Sequence, residues 1–452
     1  MAHGVLGPLP MRDPPFVLLT FPRPFPIVPS SRSIPKSPPS MAPAHCSCSS
    51  PQAMASATSN PSPSSMPSLL VFSGGTAFNG VVEELKKVTT RVAHVLPVSD
   101  DGGSTAEIVR VLGGPAVGDI RSRCLRLSDD STSEALAVRI LLGHRLPLDS
   151  SQAKLEWYKI VEGEHYLWDG VSRPYKETIH AFLAYFQNQI LRQSNGSFCF
   201  SNDIPTESLV LPVISTNDRH TLGCELQDGT IIRGQNEISH PTNGCTGPVS
   251  KDCDSSKALP SRIKRVFYMS SEGSNLLHEV FPVVNPTVLE QLSKVDCVVY
   301  AMGSLFTSIC PSLVLHGIGE IIASRNIPKV LLLNGSHDRE TTGLSASGFV
   351  TAITDALNRT HGDPDKSLKN HPSEYINALL VPRDGHVPVD VECLAIQGIF
   401  HVVYVDSVRD PKVGIVFEPR SLIKALTDLI HERRDVSASH AVVLMDNSEP
   451  VC

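Results

Sequence analysis

Four short segments rich in glycine, hydroxyl and acidic residues each follow an apolar run that predicts a β-strand. They cover residues 73–80, 99–105, 302–308 and 334–343. Glycine allows a tight turn and the close approach of a ligand to the backbone, and the polar side chains supply donors and acceptors. Because ligands bind beyond the carboxyl ends of the strands in a parallel sheet, we expect the four segments to line a single cleft.

The first segment lies between the apolar run Leu69–Phe72 and a helical pattern of apolar residues over 81–88. The free N–H groups at the start of a helix, together with the helix dipole, favour negative charge. Phosphate groups are the predicted ligands, and the residues expected to hold them are Gly74, Gly75, Thr76, Asn79 and Gly80. The segment lacks G-x-G-x-x-G and the Gly-Lys-Ser/Thr ending of a P-loop, so glycines that serve packing alone are the alternative.

Two adjacent carboxylates, Asp100 and Asp101, lie near the start of the second segment, and Gly102, Gly103 and Ser104 follow them. Mg²⁺ prefers hard oxygen ligands and usually takes one or two carboxylates plus substrate phosphates. A phosphate ligand beside this pair would complete such a site, so we predict that the aspartates hold a metal and take part in catalysis. The alternative is that one of them caps the helix predicted over 106–112.

Two arginines, Arg121 and Arg123, follow Gly118-Asp119. They lie in the stretch 113–123, where the alternation of strand and helix patterns is broken. A guanidinium pairs bidentately with phosphate, so these side chains are candidate phosphate ligands, with surface salt bridges as the alternative role.

The third and fourth segments supply candidate site residues with hydroxyl groups and one further carboxylate. Ser304, Thr307 and Ser308 stand beside a glycine at a predicted helix start, where ordinary capping is the alternative. Glu340 is a candidate general base or second metal ligand, or else an exposed loop acid. No nucleophile pairs with a base in this set, so positioning and metal electrostatics are the predicted means of transfer between phosphates.

A parallel sheet is needed to bring these segments together, and the chain alternates strand and helix patterns as such a sheet requires. The predicted fold class is α/β, a Rossmann-like, mostly parallel sheet with helices on both faces. Two additions are expected, a helical insertion over about 131–193 and a β-hairpin that turns at Asp228-Gly229. Other predicted elements are a surface loop over about 240–261, a helix over 312–324, a closing helix over 419–433 and a tail over 437–452.

Composition excludes several classes of protein. The net charge of -7 argues against a general nucleic-acid-binding surface. The longest apolar runs, such as residues 298–302, are far below the ~18 residues that cross a bilayer. The 11 cysteines form no C-x-x-C pairs, which indicates a reducing compartment and no disulfide framework. We expect neither a nucleic-acid nor a membrane partner.

Residues 1–66 differ from the rest of the chain, because they hold 15 of the 36 prolines, many serines and a single acid, Asp13. Such a segment cannot bury enough apolar surface to fold, so disorder is predicted. A basic, serine-rich and acid-poor N-terminus is also typical of organelle transit peptides. The proline density favours a chloroplast address over a mitochondrial one, with a cytoplasmic location as the alternative. The folded domain is predicted over 67–436.

The motifs, taken in order, resemble the CofD/YvcK-like superfamily over about residues 69–429. They are Gly74-Gly75-Thr76, Ser99 to Ser104, Gly118-Asp119-Ile120-Arg121, Asp228-Gly229 with Arg233-Gly234, Gly303 to Pro311, and Asn334 with Glu340-Thr341. Several motifs in the same order make the resemblance more specific than any one of them.

The resemblance implies a Rossmann-like fold and one of two functions. The CofD branch is a 2-phospho-L-lactate transferase, which moves phospholactate from a guanosine diphosphate-linked donor to the primary hydroxyl of a deazaflavin, with Mg²⁺, and releases GMP. The YvcK branch resembles a UDP-sugar-binding regulator of carbon metabolism and cell-wall growth, without established catalysis. The implied partner is thus a nucleoside-diphosphate-linked small molecule, and a homodimer is left open.

Site residues carried over by motif fall into three groups. The stretch from Gly74 to Gly80 would hold phosphates, and Asp100 or Asp101 would hold Mg²⁺. The other residues expected to bind the nucleotide or substrate are Gly102, Gly103, Ser104, Asp119, Arg121, Gly303, Ser304, Thr307, Ser308, Asn334 and Thr341. The sequence Asp100-Asp101-Gly102-Gly103-Ser104 is closer to the YvcK branch than to CofD, so both functions remain as hypotheses.

Overall fold

A computed structural model describes residues 66–75, 77–99, 105, 109, 114–147, 149–192, 208–216, 218–240, 258–271, 276–359, 367–411 and 413–446. The predicted N-terminal segment, except Met66, lies outside the described residues, as do most of the helix predicted over 106–112 and residues 241–257 of the predicted surface loop.

The strands within the described residues are β1 (Leu69–Phe72), β2 (Val92–Leu96), β3 (Leu209–Pro212), β4 (Thr221–Leu226), β5 (Ile231–Arg233), β6 (Ile263–Ser270), β7 (His278–Val280), β8 (Cys297–Tyr300), β9 (Lys329–Leu332), β10 (Ala378–Pro382), β11 (His401–Val405), β12 (Ser407–Asp410) and β13 (Gly414–Phe417).

The α-helices in the same residues are α1 (Asn79–Val88), α2 (Gly118–Leu127), α3 (Ser133–Gly143), α4 (Ser150–Val161), α5 (Arg173–Arg192), α6 (Gln235–Ser239), α7 (Pro286–Lys294), α8 (Cys310–Leu313), α9 (Ile318–Ser324), α10 (Ala346–Leu357), α11 (Val391–Ile396) and α12 (Pro419–Asp446). A π-helical stretch, Leu305–Ile309, runs directly into α8, and we call the two together the post-β8 helix. Short 3₁₀ turns occupy Tyr166–Trp168 and Pro372–Glu374.

Seven strands form the main sheet in the order β11-β10-β9-β8-β1-β2-β3. Every pair in it is parallel, which confirms the predicted fold class. From β1 the sheet grows in one direction through β2 and β3. The chain later returns to place β8 on the other side of β1, and the sheet then grows in the opposite direction through β9, β10 and β11. The point between β1 and β8 is therefore the topological switch point, beyond which α/β proteins bind ligands.

Both faces of the sheet are covered because successive side chains of a strand point to opposite faces. Leu70 and Phe72 of β1 pack in one core with α7, α9, α10 and the strands β4 and β6. Leu69 and Val71 pack in a second core with α1, α2 and α12. The apolar run of β1 thus lies between two layers of helices.

The two predicted additions are present. Helices α3, α4 and α5 form the helical insertion around Leu141, Ile160 and Trp168, and the indole Nε1–H of Trp168 donates to Ile160 O at 2.9 Å. The turn at Asp228-Gly229 joins β4 to β5 in an antiparallel sheet of order β5-β4-β6-β7. A hairpin of β12 and β13, which the sequence did not predict, pairs antiparallel near the C-terminus.

Three helices differ from the prediction. The stretch predicted as a break contains α2, because its glycines and proline precede the helix or lie at its first residue. The helix predicted over 312–324 is divided at Gly317, whose φ of 92° is in the left-handed region that favours glycine. Helix α12 continues to Asp446, into the predicted tail.

Among the described residues no single helix is long and apolar enough to cross a membrane, although the bent pair Leu305–Leu313 and Ile318–Ser324 passes that test by length and composition.

Candidate functional site

The glycine turn after β1 lies at the switch point and packs tightly on two neighbouring segments. A Cβ atom added to Gly74 would lie 2.7 Å from Ser308 Oγ, and one added to Gly75 would lie 1.9 Å from Asp119 Oδ1. At such contacts under 3.0 Å a side chain fits only if the neighbouring Ser308 or Asp119 side chain shifts. Glycine at both positions lets the turn pack against these side chains as they stand, and the turn brings together the first and third predicted segments and the N-terminus of α2.

A buried arginine supports this turn from inside. The side chain of Arg123, 0% exposed, donates from Nη1 to Ser73 Oγ at 3.2 Å and from Nη2 to Gly74 O at 3.1 Å. Its Nε donates to Asn79 Oδ1 at 2.9 Å, and its Cζ lies 5.4 Å from the centroid of the Phe78 ring. One guanidinium thus fixes both ends of the turn, at the end of β1 and at the start of α1.

His94 is the fourth group bonded to this guanidinium, through a contact of 2.8 Å between His94 Nδ1 and Arg123 Nη1. Burial, and then the charge of Arg123, lower the pKa of His94 well below its usual value. The imidazole is consequently neutral at physiological pH, and its Nδ1 accepts from the arginine. Burial also lowers the pKa of Arg123 to about 10, against the opposing effect of Asp119, so the guanidinium stays charged.

The third and fourth segments are held together by a pair of hydrogen bonds at the ends of β8 and β9. Gly303 N–H donates to Asn334 Oδ1 at 3.2 Å, and Asn334 Nδ2 donates to Gly303 O at 2.8 Å. Ser304 caps the post-β8 helix with its carbonyl oxygen, which accepts from Ser308 N at 2.9 Å. Ser308 then faces Gly74, so three of the four predicted segments lie together at the carboxyl ends of β1, β8 and β9; that they line a ligand cleft stays a prediction.

Glu340 is buried, 5% exposed, between the post-β8 helix and α6. Its Oε2 accepts from the N–H groups of Phe306 at 3.0 Å and Thr307 at 3.1 Å. Its Oε1 accepts from the hydroxyls of Thr307 at 2.5 Å and Ser239 at 2.6 Å. Burial, and then the charge of Asp338, raise its pKa to about 7. All four bonds are to groups of the protein, and a catalytic role for Glu340 stays a prediction.

Other predicted residues lie elsewhere. Arg121 donates to Leu142 O at the end of α3, and the buried Thr341 is bonded to Asp338 Oδ1 through its N–H at 2.9 Å and its hydroxyl at 2.6 Å. Gly80 has open space around its Cα. The predicted residues outside the described part are Thr76, Asp100, Asp101, Gly102, Gly103 and Ser104.

Residues that the sequence did not place in the site are His94, Ser239 and Asp338, and it named Arg123 only beside Arg121. A signal for Arg123 exists in the sequence, because it shares a helix face with Ile120, Cys124 and Leu127, all apolar or thiol side chains, where a charged side chain is unusual. No comparable local signal exists for Ser239, which lies 101 residues before its partner Glu340.

The oxygen atoms beside the glycine turn meet part of what a divalent cation needs. Asp119 places a carboxylate against the glycine turn, and Mg²⁺ often takes one or two carboxylates and completes its shell with substrate phosphates and water. Within the described ranges, no three His, Cys, Asp or Glu side chains converge on a metal position. Among the described side chains, a cation at this turn would therefore have the Asp119 carboxylate and would depend on the phosphates of a ligand for further oxygen atoms.

Comparison with known proteins begins with the family model for 2-phospho-L-lactate transferase CofD, which matches residues 69–409. The chain is 30% identical to the uncharacterised protein YNL011C of Saccharomyces cerevisiae, over 71% of this chain and 91% of that protein. It is 24% identical to the gluconeogenesis factor of Bacillus subtilis, over 81% of this chain and 99% of that protein. It is 26% identical to a putative gluconeogenesis factor of Clostridium acetobutylicum, over 64% of this chain and only 53% of that protein.

A similar fold is seen in the crystal structure of BH3568 from Bacillus halodurans, a member of the UPF0052 family. The TM-score is 0.54 at 21% sequence identity, with 80% of this chain and 99% of that chain covered. Three observations point to the same family. They are the order of the motifs, the parallel sheet with its turn at the switch point, and the match of the family model over residues 69–409. The chain belongs to the CofD family, within the superfamily that also includes the YvcK-type gluconeogenesis factors.

Proposed function

We propose that the chain is a CofD-like 2-phospho-L-lactate transferase, which moves a phosphate-linked group from a nucleoside-diphosphate donor to a hydroxyl acceptor with Mg²⁺. The observation that carries the proposal is the turn from Ser73 to Asn79, which lies at the switch point with Ser308 on one side and Asp119 on the other. Backbone N–H groups in a glycine turn before a helix bind phosphate.

Roles follow from this geometry. The turn binds the diphosphate, and Arg123 holds the turn, because four of the five guanidinium N–H donors are directed at Ser73, Gly74, Asn79 and His94. Ser304, Ser308 and Asn334, at the ends of β8 and β9, are the residues that we assign to the nucleotide and the acceptor. Asp119, with Asp100 or Asp101, would hold Mg²⁺, which supplies electrostatic stabilisation of the charge on the phosphates.

The reaction itself needs positioning more than covalent catalysis. The acceptor hydroxyl oxygen forms a new bond to the phosphorus of the transferred group, and the bond from that phosphorus to the nucleoside monophosphate breaks. The hydroxyl proton leaves to solvent or to a nearby base, and the nucleoside monophosphate is released.

A turnover assay tests this proposal. Purified protein with Mg²⁺, donor and hydroxyl acceptor is expected to release a nucleoside monophosphate, and the Asp100→Ala/Asp101→Ala variant is expected to release none. Product formation no greater than in that variant would refute the transferase activity.

A non-catalytic role as a nucleotide-sugar-binding regulator of carbon metabolism is the second candidate. It is favoured by the relatives named gluconeogenesis factors and by Asp100-Asp101-Gly102-Gly103-Ser104, which is closer to the YvcK branch. A thermal-shift panel of guanosine, uridine and adenosine diphosphate ligands separates the two. Stabilisation by UDP-sugars without turnover supports the regulator, and no response to any ligand supports a scaffold that binds neither.

A further inference from the structure

The helix that follows β8 has an occupied N-terminus. In α/β proteins the helix after a strand at the switch point offers its first N–H groups to an anionic ligand. Here the N–H groups of Phe306 and Thr307 both donate to Glu340 Oε2, at 3.0 Å and 3.1 Å. A side-chain carboxylate of the protein thus fills the position at which a phosphate could otherwise bind.

We infer that Glu340 is a positioning residue, whose carboxylate holds the post-β8 helix in place so that phosphate binds only at the glycine turn. The inference rests on the proposed function for its ligand, and it assigns Glu340 a role different from the general base that the sequence predicted. The Glu340 carboxylate also holds the Thr307 side chain inward, because the Thr307 hydroxyl donates to Glu340 Oε1 at 2.5 Å.

The same carboxylate joins three segments that are far apart in the sequence. Ser239, at the end of α6, lies 3.0 Å from Thr307 Oγ1 and donates to Glu340. The neighbouring Arg339 donates to Glu237 O at 2.7 Å and Ile238 O at 2.9 Å. Arg339 and Glu340 together hold α6, and with it the sheet of β4 to β7, against the helix that follows β8 at the carboxyl ends of the main-sheet strands.

The position of Ser308 depends on this arrangement. Ser308 lies one residue after Thr307, and a Cβ on Gly74 would come within 2.7 Å of its hydroxyl. A shift of the post-β8 helix would therefore widen or close the space between Ser308 and the glycine turn. Glu340 acts on the ligand through this spacing, without contact to the reacting atoms.

The key variants are Glu340→Gln and Glu340→Ala. A glutamine can keep every bond, since its Oε1 can accept from the two N–H groups and its Nε2 can donate to the two hydroxyls, which also act as acceptors. An alanine leaves these buried groups without partners, and each such group costs enough to weaken the local structure at least about tenfold. A matched control is Glu320→Ala, because Glu320 also caps a helix N-terminus, accepting from Gly317 N at 2.9 Å.

Hydrogen exchange of the ligand-free protein, read by mass spectrometry, is the first measurement. We expect peptides that cover residues 303–309 and 235–239 to exchange at least about tenfold faster in Glu340→Ala and at the wild-type rate in Glu340→Gln. In Glu320→Ala only peptides from α9 should change. Unchanged exchange in Glu340→Ala would overturn the inference.

Ligand binding and turnover are the second measurement, with a nucleoside diphosphate as the probe and with the transferase assay. We expect Glu340→Ala to lose the thermal shift given by the nucleoside diphosphate and Glu340→Gln to retain it together with turnover. A Glu340→Gln protein that binds normally but turns over at least about 100-fold more slowly would make Glu340 a general base and refute the inference. If wild type binds no nucleotide, the proposed function fails, while the exchange measurement still decides the inference.

Discussion

At the scale of single residues, the buried guanidinium of Arg123 is the group on which the glycine turn depends. Arginine offers a planar fork of donors that lysine cannot reproduce, and here the fork joins Ser73, Gly74 and Asn79 to His94. Removing it would leave buried acceptors without partners, and each costs about 1–3 kcal/mol.

We predict that Arg123→Leu lowers the free energy of unfolding by about 3 kcal/mol or more, and that it weakens binding of the nucleoside diphosphate. The matched control is Arg121→Leu, two residues earlier on α2, whose exposed guanidinium bonds only to Leu142 O among the bonds described. It should cost less than about 1 kcal/mol. Urea unfolding of both variants checks the prediction, which equal costs would contradict.

A second prediction at this scale concerns the pH dependence of stability. Burial raises the pKa of Glu340 to about 7 in the folded protein, while an unfolded glutamate has a pKa of about 4.3. The folded state therefore binds this proton more tightly, and the stabilisation that it gives is complete below about pH 4 and lost as the pH rises to about 7.

The expected result is that the free energy of unfolding of wild type, minus that of Glu340→Gln, falls by about 3 kcal/mol between pH 4.5 and pH 7.5. Taking the difference cancels the effect of His94, whose lowered pKa acts in the opposite direction. Urea unfolding over this pH range measures it. A difference that rises with pH would mean that the four hydrogen bonds keep the carboxylate ionised.

At the scale of elements, the unit formed by β1, the glycine turn and α1 is limited by the space around the turn. We predict that Gly75→Ala costs about 1–3 kcal/mol, because the new Cβ would overlap Asp119, with its Cγ at 2.4 Å and its Cβ at 2.9 Å. Gly80→Ala is the control for backbone entropy. It meets no atom within 4 Å and lies within α1, so it should raise stability by about 0.5–1 kcal/mol. Thermal unfolding of the two variants should therefore shift in opposite directions.

Among the elements, the polar segments after β1, β8 and β9 were predictable, but the hairpin of β12 and β13 was not. Its contact with the fourth segment is close, since a Cβ on Gly335 would lie 2.1 Å from Ile415 O. Short strands with mixed exposure such as β12 carry little periodic signal. Their pairing is decided by the neighbours that they meet.

At the scale of the whole molecule, the first described residues tie the start of the sheet to distant parts. Ser68 donates through its N–H and its hydroxyl to Asp296 Oδ2, at 2.8 Å and 2.7 Å, and Thr89 Oγ1 donates to Pro67 O at 2.8 Å. The Ser68 bonds hold the start of β1 beside the start of β8, the two strands that flank the switch point, and the Thr89 bond ties the segment before β1 to the end of α1.

We therefore predict that a chain that starts at Leu69 melts several degrees lower than one that starts at Met66. Loss of the Ser68 bonds to the Asp296 carboxylate should cost about 2–3 kcal/mol, and calorimetry of the two chains measures it. Equal melting of both shortened chains would show that these bonds add nothing to stability.

The sequence alone determined the apolar strands, the glycine turns, the helical insertion and the family, because periodicity and ordered motifs are local properties of the chain. Tertiary structure alone decided which of two arginines, Arg121 or Arg123, enters the site, since the face of α2 that is buried depends on the sheet beneath it. It also decided that Glu340 turns inward, because its partners Thr307 and Ser239 are 33 and 101 residues away. No local pattern encodes such contacts, and only the packing of remote elements brings them together.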